Sequence, residues 1–227
     1  MAEYKIISLG GSLIAPKTGL DADFLKKFKT LVLARVKKGD RFIIITGGGQ
    51  TARAYQAAAR AVGKLEAEDI DWIGIHATRL NAHLVRTIFR DYANPIVAKD
   101  FTKKIKWVEP ILVAAGWKPG CSTDYDATLF AKMYGVKNMV NMSNIDYVCD
   151  KDPNKFSDAK RLEEISWVEL RKLVGDKWIP GANVPFDPIA AQLAQKEKMT
   201  VQFVKGTDME QVKNMLNGKK VKGTIIK

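Results

Sequence analysis

The sequence predicts an α/β protein built as a three-layer sandwich, with a mainly parallel sheet between two layers of helices. Apolar runs of strand length alternate along the chain with longer segments whose apolar residues recur at helical spacing. This alternation is typical of a parallel sheet that is covered on both faces. Three of the predicted strands run directly into loops of small residues, at the end of the sheet where α/β proteins bind ligands. The 227 residues, 46% of them hydrophobic, suit a single domain.

The elements of the first half are predicted from apolar runs for the strands and from three- and four-residue spacing for the helices. Arg41–Thr46 is the clearest strand, because its near-continuous apolar run is expected of a strand buried on both faces. The predicted elements are, in order, strand 4–9, helix 21–38, strand 41–46, helix 50–62, helix 67–92, strand 95–98, strand 111–115 and helix 124–134.

The second half is less regular, and helix-start signals guide its interpretation. Ser166 with Glu169, and Thr207 with Glu210, each have the spacing of a capping box. Asp187 followed by Pro188 predicts another helix start. The predicted elements are strand 138–142, loop 143–153, a short helix after 166, a helix from 187, strand 200–204, helix 208–216 and strand 223–226.

Composition and charge narrow the function classes. The formal charge of +12 comes from scattered lysine pairs that are not interleaved with aromatic residues, which predicts solvated surfaces rather than nucleic-acid binding. The two cysteines, Cys121 and Cys149, are too few for a disulfide framework and predict a reducing compartment. The start of the chain does not resemble a signal peptide, and no apolar run approaches the roughly 18 residues of a membrane helix. We therefore expect a soluble, cytoplasmic protein.

Loops of small residues follow three strands: Gly10-Gly11-Ser12, Gly47-Gly48-Gly49 and the segment 116–123. Glycine lets backbone N–H groups approach a phosphate, and the following helix N-terminus favours negative charge. One such loop alone predicts only a turn, but three at successive strand ends indicate a cleft for a chain of phosphates. The loops match neither the Walker A pattern nor the dinucleotide-binding fingerprint, and protein-kinase signatures are absent.

Taken together in their order, these segments resemble the amino acid kinase superfamily and, more narrowly, the uridylate (UMP) kinases of the archaeal type. The segments that carry the resemblance extend over essentially the whole chain and are residues 8–12, 47–53, 71–75, 78–82, 119–124, 144–153, 187–191 and 223–226.

The resemblance implies a cleft that binds UMP on one side and ATP with Mg²⁺ on the other, for direct in-line phosphoryl transfer. The residues implied to bind UMP are Gly48, Asp71, Trp117, Lys118, Pro119, Gly120, Cys121, Ser122 and Thr123. Those implied to bind ATP are Ser8, Leu9, Gly10, Gly11, Ser12, Gly49, Arg53, Ser143, Asn144, Cys149 and Asp152. The implied catalytic residues are Gly10, Ser12, Arg53 and Asp124.

Several of these residues also have a plain structural interpretation. Arg53 is either a phosphate ligand or a surface arginine on an Ala-rich helix, and Asp71 is either a ribose ligand or a surface carboxylate. Ser122 suits a helix N-cap as well as a binding loop. Asp124 would orient a cationic group or bind Mg²⁺, or simply favour the start of its helix. Asp152, before a proline, also suits a turn.

The resemblance further implies a single domain with an acceptor lobe at about 1–136 and an ATP lobe at about 137–227. It implies a homo-oligomer based on dimers, up to a hexamer. His76 and His83 suit packing or a subunit contact better than metal binding. A stripe along the same helix suits either the core or a dimer interface, and consists of Trp72, Leu80, Leu84 and Ile88.

The sequence departs from the family at the transfer site. Many members carry a lysine at the positions of Ser8 and Gln192, and we take Lys17, Lys118 and Lys151 as candidates to supply the missing charge. Tyr147 stands where the family has glycine and Cys149 where it has an aromatic residue, so Tyr147 is a candidate adenine contact. Two alternatives stay open: transfer to a carboxylate or carbamate substrate, and a non-catalytic nucleotide-binding regulator.

Overall fold

The computed structural model describes residues 4–177 and 184–227. Residues 1–3, which are part of the basis for expecting no signal peptide, lie outside this range. The elements are, in chain order, β1 (Tyr4–Leu9), α1 (Gly11–Ile14), α2 (Ala22–Val36), β2 (Arg41–Thr46), α3 (Gly49–Val62), α4 (Ala67–Ile88), β3 (Ile111–Ala114), α5 (Thr123–Tyr134), β4 (Asn138–Ser143), β5 (Val148–Cys149), β6 (Arg161–Leu162), β7 (Glu164–Ile165), α6 (Trp167–Val174), α7 (Pro188–Lys196), β8 (Thr200–Lys205), α8 (Met209–Leu216) and β9 (Thr224–Ile226).

A seven-stranded sheet in the order β3-β2-β1-β4-β8-β9-β7 runs through the molecule. Every neighbouring pair is parallel except β8 with β9. Strands β5 and β6 form a separate antiparallel pair. The predicted mainly parallel sheet is therefore confirmed, and the parallel strands β1 to β4 and β8 share one carboxyl edge.

Two hydrophobic cores cover opposite faces of this sheet. Successive strand residues point to opposite faces, so Ile6 joins the core beneath α5, α6 and α7, whereas Ile7 joins the core with α2, α4 and α8. Both residues have no exposed surface. These two cores make the three layers that the apolar pattern predicts. None of the helices in the described residues is long and apolar enough to cross a membrane.

The predicted strand at 95–98 is wrong, because the chain there makes only two isolated bridges to β3, at Ala93 and Ala98. Pro95 has no N–H to donate to a ladder. In addition, Asn94 turns the chain by accepting a hydrogen bond from the N–H of Ile96 through its side chain, at 3.0 Å. An apolar segment can therefore be buried beside an edge strand without extending the sheet.

Two helix boundaries also differ from the prediction. Helix α4 ends at Ile88 rather than near residue 92, because Phe89 leaves the helical conformation and the chain continues in turns. The capping box of Thr207 with Glu210 is wrong: Asp208 is the N-cap, and its carboxylate accepts from the N–H of Gln211. The predicted capping box of Ser166 with Glu169 is confirmed.

Candidate active site

The small-residue loops after β1 and β2 meet at the carboxyl edge of the sheet. Parallel pairing puts the ends of β1, β2 and β4 side by side. The N–H of Gly10 donates to the carbonyl of Met142 at the end of β4, at 2.8 Å, and the N–H of Gly47 donates to the carbonyl of Leu9, at 2.9 Å. The first two predicted phosphate loops therefore form one continuous surface.

Gly11 and Gly49 interlock at the centre of this surface. A Cβ atom on Gly11 would lie 2.1 Å from the backbone nitrogen of Gly49, and one on Gly49 would lie 2.2 Å from the carbonyl oxygen of Gly11. Gly49 also has a φ of +63°, a conformation that residues with side chains rarely adopt. Only glycine at both positions allows the two loops to approach this closely.

Arg53 lies beside the same loops, as predicted. Its guanidinium donates to the hydroxyl of Ser12 at 3.2 Å and to the side-chain carbonyl of Gln50 at 3.1 Å. The Arg53 side chain is exposed, and no acidic partner neutralises it in the described part of the chain. The fork geometry of a guanidinium suits oxygen atoms of a phosphate, so Arg53 and Ser12 lie together in a corner that could bind an anion.

Helix α4 supports the glycine loops from behind through residues to which sequence reasoning assigned no role. The buried Asn81 donates its side-chain amide to the carbonyls of Gly47 and Gly48, at 2.8 and 3.2 Å. One turn earlier, the Thr78 hydroxyl accepts from the N–H of Gly116 at 2.8 Å. The signal for these residues was present in the sequence: both are polar and share the apolar, inward face of an amphipathic helix.

The third predicted loop, residues 116–123, is also held by α4. Arg79 donates to the carbonyls of Gly116 and Trp117, at 3.3 and 2.9 Å. The carboxylate of Asp71 accepts from the N–H of Gly120 at 2.9 Å. Asp71 therefore lies at the loop 116–123, where it could contact a ribose, and it also stabilises the conformation of that loop.

The end of this loop starts helix α5. Ser122 is the N-cap, and its hydroxyl accepts from the N–H of Tyr125 at 3.1 Å. The capping interpretation of Ser122 is thus confirmed, and it leaves the binding interpretation open.

Burial, with the nearby Asp126 carboxylate as a smaller cause, raises the pKa of the Cys121 thiol to about 11. Cys121 is consequently a neutral thiol at physiological pH. The Lys118 ammonium lies over the Trp117 ring, 4.3 Å from its centre.

Asp124 is the second residue of α5, and its side chain faces β1 and β4. Its Oδ1 atom accepts from the Ser8 hydroxyl at 3.3 Å and from the Asn141 side chain at 2.9 Å. Burial, with the nearby Asp187 carboxylate as a second cause, raises the pKa of Asp124 to about 7. Within the described residues no ion pair includes Asp124. Gln192, at the second lysine position, instead donates to the carbonyl of Asp176 at 3.0 Å.

A second buried carboxyl group, that of Asp126, lies behind the loop 116–123. One of its oxygens accepts from the N–H of Trp117 at 3.3 Å, and the other has no hydrogen-bond partner in the described structure. Burial raises the pKa of Asp126 to about 8, with Asp187 as a further cause, while Arg79 lowers it. A protonated Asp126 would avoid a buried negative charge.

The predicted ATP-binding residues of the second half line a cavity of about 540 Å³ beyond the end of β4. Its lining includes the predicted Ser143, Asn144, Cys149 and Asp152. Side chains that sequence reasoning did not name for this site also line it: Asp146, Arg161 and Lys205, of which Lys205 pairs with Asp146 at 2.9 Å. Tyr147 lines the cavity too, with the Arg161 guanidinium 5.5 Å from the centre of its ring.

Comparison with known proteins identifies close relatives. The model of the amino acid kinase family matches residues 3–205. A uridylate kinase of Thermoplasma volcanium is 35% identical over 96% of this chain and 95% of its own length, and one of Methanocaldococcus jannaschii is 34% identical over 96% and 99%. The crystal structure of uridylate kinase from Archaeoglobus fulgidus superposes with a TM-score of 0.83 at 29% identity, covering 99% of this chain and all of that one.

Proposed function

Because the chain belongs to the amino acid kinase family, we propose that it is a UMP kinase, which transfers the γ-phosphoryl group of ATP to UMP and yields UDP and ADP. The observation that carries the proposal is the interlocked pair of glycine loops beside Arg53, in a chain whose full-length relatives are uridylate kinases. The Trp117 ring in the loop 116–123, together with Asp71, whose carboxylate accepts from the N–H of Gly120, suits a base and a ribose better than a small carboxylate.

The proposed reaction is an in-line displacement. A phosphate oxygen of UMP forms a bond to the γ-phosphorus as the bond from that phosphorus to the bridging β-γ oxygen breaks, and ADP leaves. The backbone N–H groups of Gly11 and Gly49 and the Arg53 guanidinium stabilise the negative charge on the transferring group. Asp71 would orient the UMP ribose, and Gly48 its phosphate. The chain's contribution is therefore positioning and electrostatic stabilisation.

Mg²⁺ enters this proposal as part of the MgATP substrate. Magnesium is commonly held by substrate phosphates with one or two carboxylates and several waters. Among the described residues no three histidine, cysteine or acidic side chains are grouped so as to hold a metal. That arrangement fits an ion that arrives on ATP phosphates. Bound there, it would supply positive charge between the β- and γ-phosphates.

The proposal divides the single domain into an acceptor half, about 1–136, and an ATP half, about 137–227. The acceptor half contributes the glycine loops and α4, and the ATP half contributes the cavity around Tyr147. We also propose a cytoplasmic location, which the free thiols of Cys121 and Cys149 and the proposed nucleotide substrates support.

A coupled assay with ATP and Mg²⁺ tests the proposal against its alternatives. The acceptors are UMP, CMP, AMP, acetylglutamate, aspartate and carbamate, each at saturating concentration. We expect product with UMP above all others. Transfer to a carboxylate or carbamate would replace the proposal with another reaction of the family. Binding of UMP and ATP without product would support a regulatory protein instead.

We also propose that the chain forms a homo-oligomer through α3 and the outer face of α4. None of the 14 residues of α3 is buried, and Tyr55 is 68% exposed. On α4, Trp72 and Leu80 are exposed, whereas Leu84 and Ile88 pack against the core. The predicted stripe therefore divides into a core part and a surface part, and the surface part continues the exposed face of α3.

Light scattering of the purified chain tests this association. Leu80→Glu should shift the mass toward the monomer, because the substitution places a charge in an apolar contact. Val108→Glu is the matched control, since Val108 is 88% exposed in a segment away from α3 and α4. A wild-type chain that is monomeric at micromolar concentration would contradict the association and leave the proposed activity intact.

A further inference from the structure

Asn81 is nearly completely buried, with 2% of its surface exposed. It contacts the triple-glycine loop through the carbonyl groups of Gly47 and Gly48. Both hydrogens of its side-chain amide are used, one on the carbonyl of Gly47 at 2.8 Å and one on the carbonyl of Gly48 at 3.2 Å. These contacts bridge 34 and 33 residues of sequence, so they are tertiary and not part of the local loop conformation.

Planarity of the peptide group converts this contact into a constraint on the N–H groups. In a trans peptide the carbonyl of one residue and the N–H of the next point in opposite directions. Fixing the carbonyls of Gly47 and Gly48 toward α4 therefore directs the N–H groups of Gly48 and Gly49 away from it. Neither N–H donates a hydrogen bond within the described part of the chain. Both donors are consequently available to a ligand.

Helix α3 holds part of this arrangement, because the N–H of Ala52 donates to the Gly48 carbonyl at 3.3 Å, but within the described residues only Asn81 donates to the Gly47 carbonyl. Glycine occupies positive and negative φ almost equally, so a glycine peptide rotates more readily than any other. A rotated peptide would present a carbonyl oxygen to the cleft, where it would repel phosphate. Helix α4 resists such rotation because Thr78, one turn before Asn81, is itself bonded to both neighbouring strand ends. The Thr46 hydroxyl donates to the Thr78 carbonyl at 3.0 Å, and Gly116 donates to the Thr78 hydroxyl.

We propose that Asn81 is a positioning residue for phosphate binding: it holds two carbonyls of the glycine loop away from the cleft, so that the N–H groups of Gly48 and Gly49 face the substrate phosphates. The inference rests on the proposed function for the identity of the nucleotide, but it concerns the orientation of the loop in this chain. Asn81 does not touch substrate and acts through the backbone.

The first experiment compares the affinities of UMP and uridine by calorimetry, because their ratio reports the phosphate contact alone. The variants are Asn81→Ala and Asn81→Asp, which remove both donors, and Asn81→Ser, which keeps one hydroxyl donor on a shorter side chain. The control is Asn94→Ala. In the wild type the Asn94 side chain donates to the carboxylate of Glu109 at 3.0 Å, beside β3. We expect the Asn81 changes to lower the UMP-to-uridine ratio about tenfold, as loss of hydrogen bonds to a charged group does. Uridine affinity and the Asn94→Ala ratio should stay as in the wild type.

The second experiment follows the amide resonances of Gly48 and Gly49 in the ¹⁵N-labelled protein during titration with inorganic tripolyphosphate. It requires no nucleotide, so it remains informative if the chain proves not to bind UMP. We expect both resonances to shift in the wild type and in Asn94→Ala, and to respond weakly in the Asn81 variants. Resonances that do not respond in the wild type, or that respond equally in folded Asn81 variants, would overturn the inference. An unchanged affinity ratio in those variants would also overturn it.

Discussion

The two sides of the cleft are built in different ways. On the proposed acceptor side, backbone groups of the glycine loops form the surface, and buried side chains of α4 hold them from behind. On the proposed ATP side, side chains line an open cavity; most belong to the irregular segment 143–161, and the others to the end of α6, to residues 184 and 185 and to Lys205. Backbone atoms in close contact cannot adjust to a substitution, whereas side chains around a cavity can rearrange. We therefore expect the acceptor side to tolerate far less change than the ATP side.

The largest effect is expected from Gly11→Ala. Its Cβ would overlap the backbone of Gly49, so one of the two loops must move. We expect loss of activity and a fall of about 3 kcal/mol or more in the free energy of unfolding, measured by urea denaturation. The control is Gly63→Ala, because Gly63 has open space around it and an extended φ of 175°. Equal stability of the two variants would show that the loops are not interlocked in solution.

Arg53→Ala tests the corner that Arg53 forms with Ser12 beside the glycine loops. Loss of a guanidinium that stabilises a transferring phosphoryl group should lower kcat by about 100-fold or more. Arg60, two turns further along α3 and also exposed, provides the control variant Arg60→Ala. Steady-state kinetics with both substrates varied would measure the effect. If Arg53→Ala and Arg60→Ala had the same kcat, Arg53 would be only a surface residue of an Ala-rich helix.

A smaller effect is expected on the ATP side from Tyr147→Ala. Loss of one aromatic surface for stacking on a base should raise the KM for ATP by about tenfold and leave kcat nearly unchanged. Phe156 is 49% exposed and lies outside the lining of the cavity, so Phe156→Ala is the matched control. A fall in kcat with an unchanged KM would place Tyr147 near the chemistry instead of the base.

The last prediction concerns stability and not catalysis: stability should depend on pH because two carboxyl groups, those of Asp124 and Asp126, are buried. The pKa values of Asp124 and Asp126 are raised to about 7 and about 8, whereas unfolded carboxyl groups titrate near pH 4. Between these values the folded chain binds more protons than the unfolded chain. The free energy of unfolding should therefore decrease as pH rises from about 4 to about 8.

Urea denaturation at several pH values in this window, with Asp126→Asn and Asp158→Asn, measures the effect. The first substitution should flatten the dependence, because an amide does not titrate. The second should not, since Asp158 pairs with Lys151 at the surface. A stability that increases with pH in the wild type would mean that the two carboxyl groups are charged when buried.

The sequence predicted the layers well because their signals are local. Residues 42–45 are all apolar, as a strand buried on both faces requires, and glycines directly follow two strands. The sequence placed those loops at one edge of the sheet, whereas the structure shows that β1 and β2 are neighbours and that Gly11 meets Gly49. The family and fold predictions are confirmed. The roles of individual site residues remain predictions.

What could not be predicted depends on contacts between distant segments. Asn81 contacts carbonyls 33 and 34 residues away, and Asn141 contacts Asp124 across 17 residues. Sequence spacing gives no sign of which polar group on a helix face meets which loop. The prediction of a strand at 95–98 failed for a related reason: Val97 and Ala98 are buried, but the proline and the Asn94 turn decide the backbone pairing.

The contact between Gly11 and Gly49 also has a consequence for the order in which the chain folds. The two loops can dock only when β1 and β2 are already paired, and Asn81 can clamp them only when α4 has packed on that sheet. All of these elements lie within the first 88 residues, so they can meet as soon as that part of the chain has been synthesised. N-terminal segments fold first during synthesis. We therefore expect the phosphate-binding surface to assemble on the nascent chain before the cavity of the second half has been synthesised.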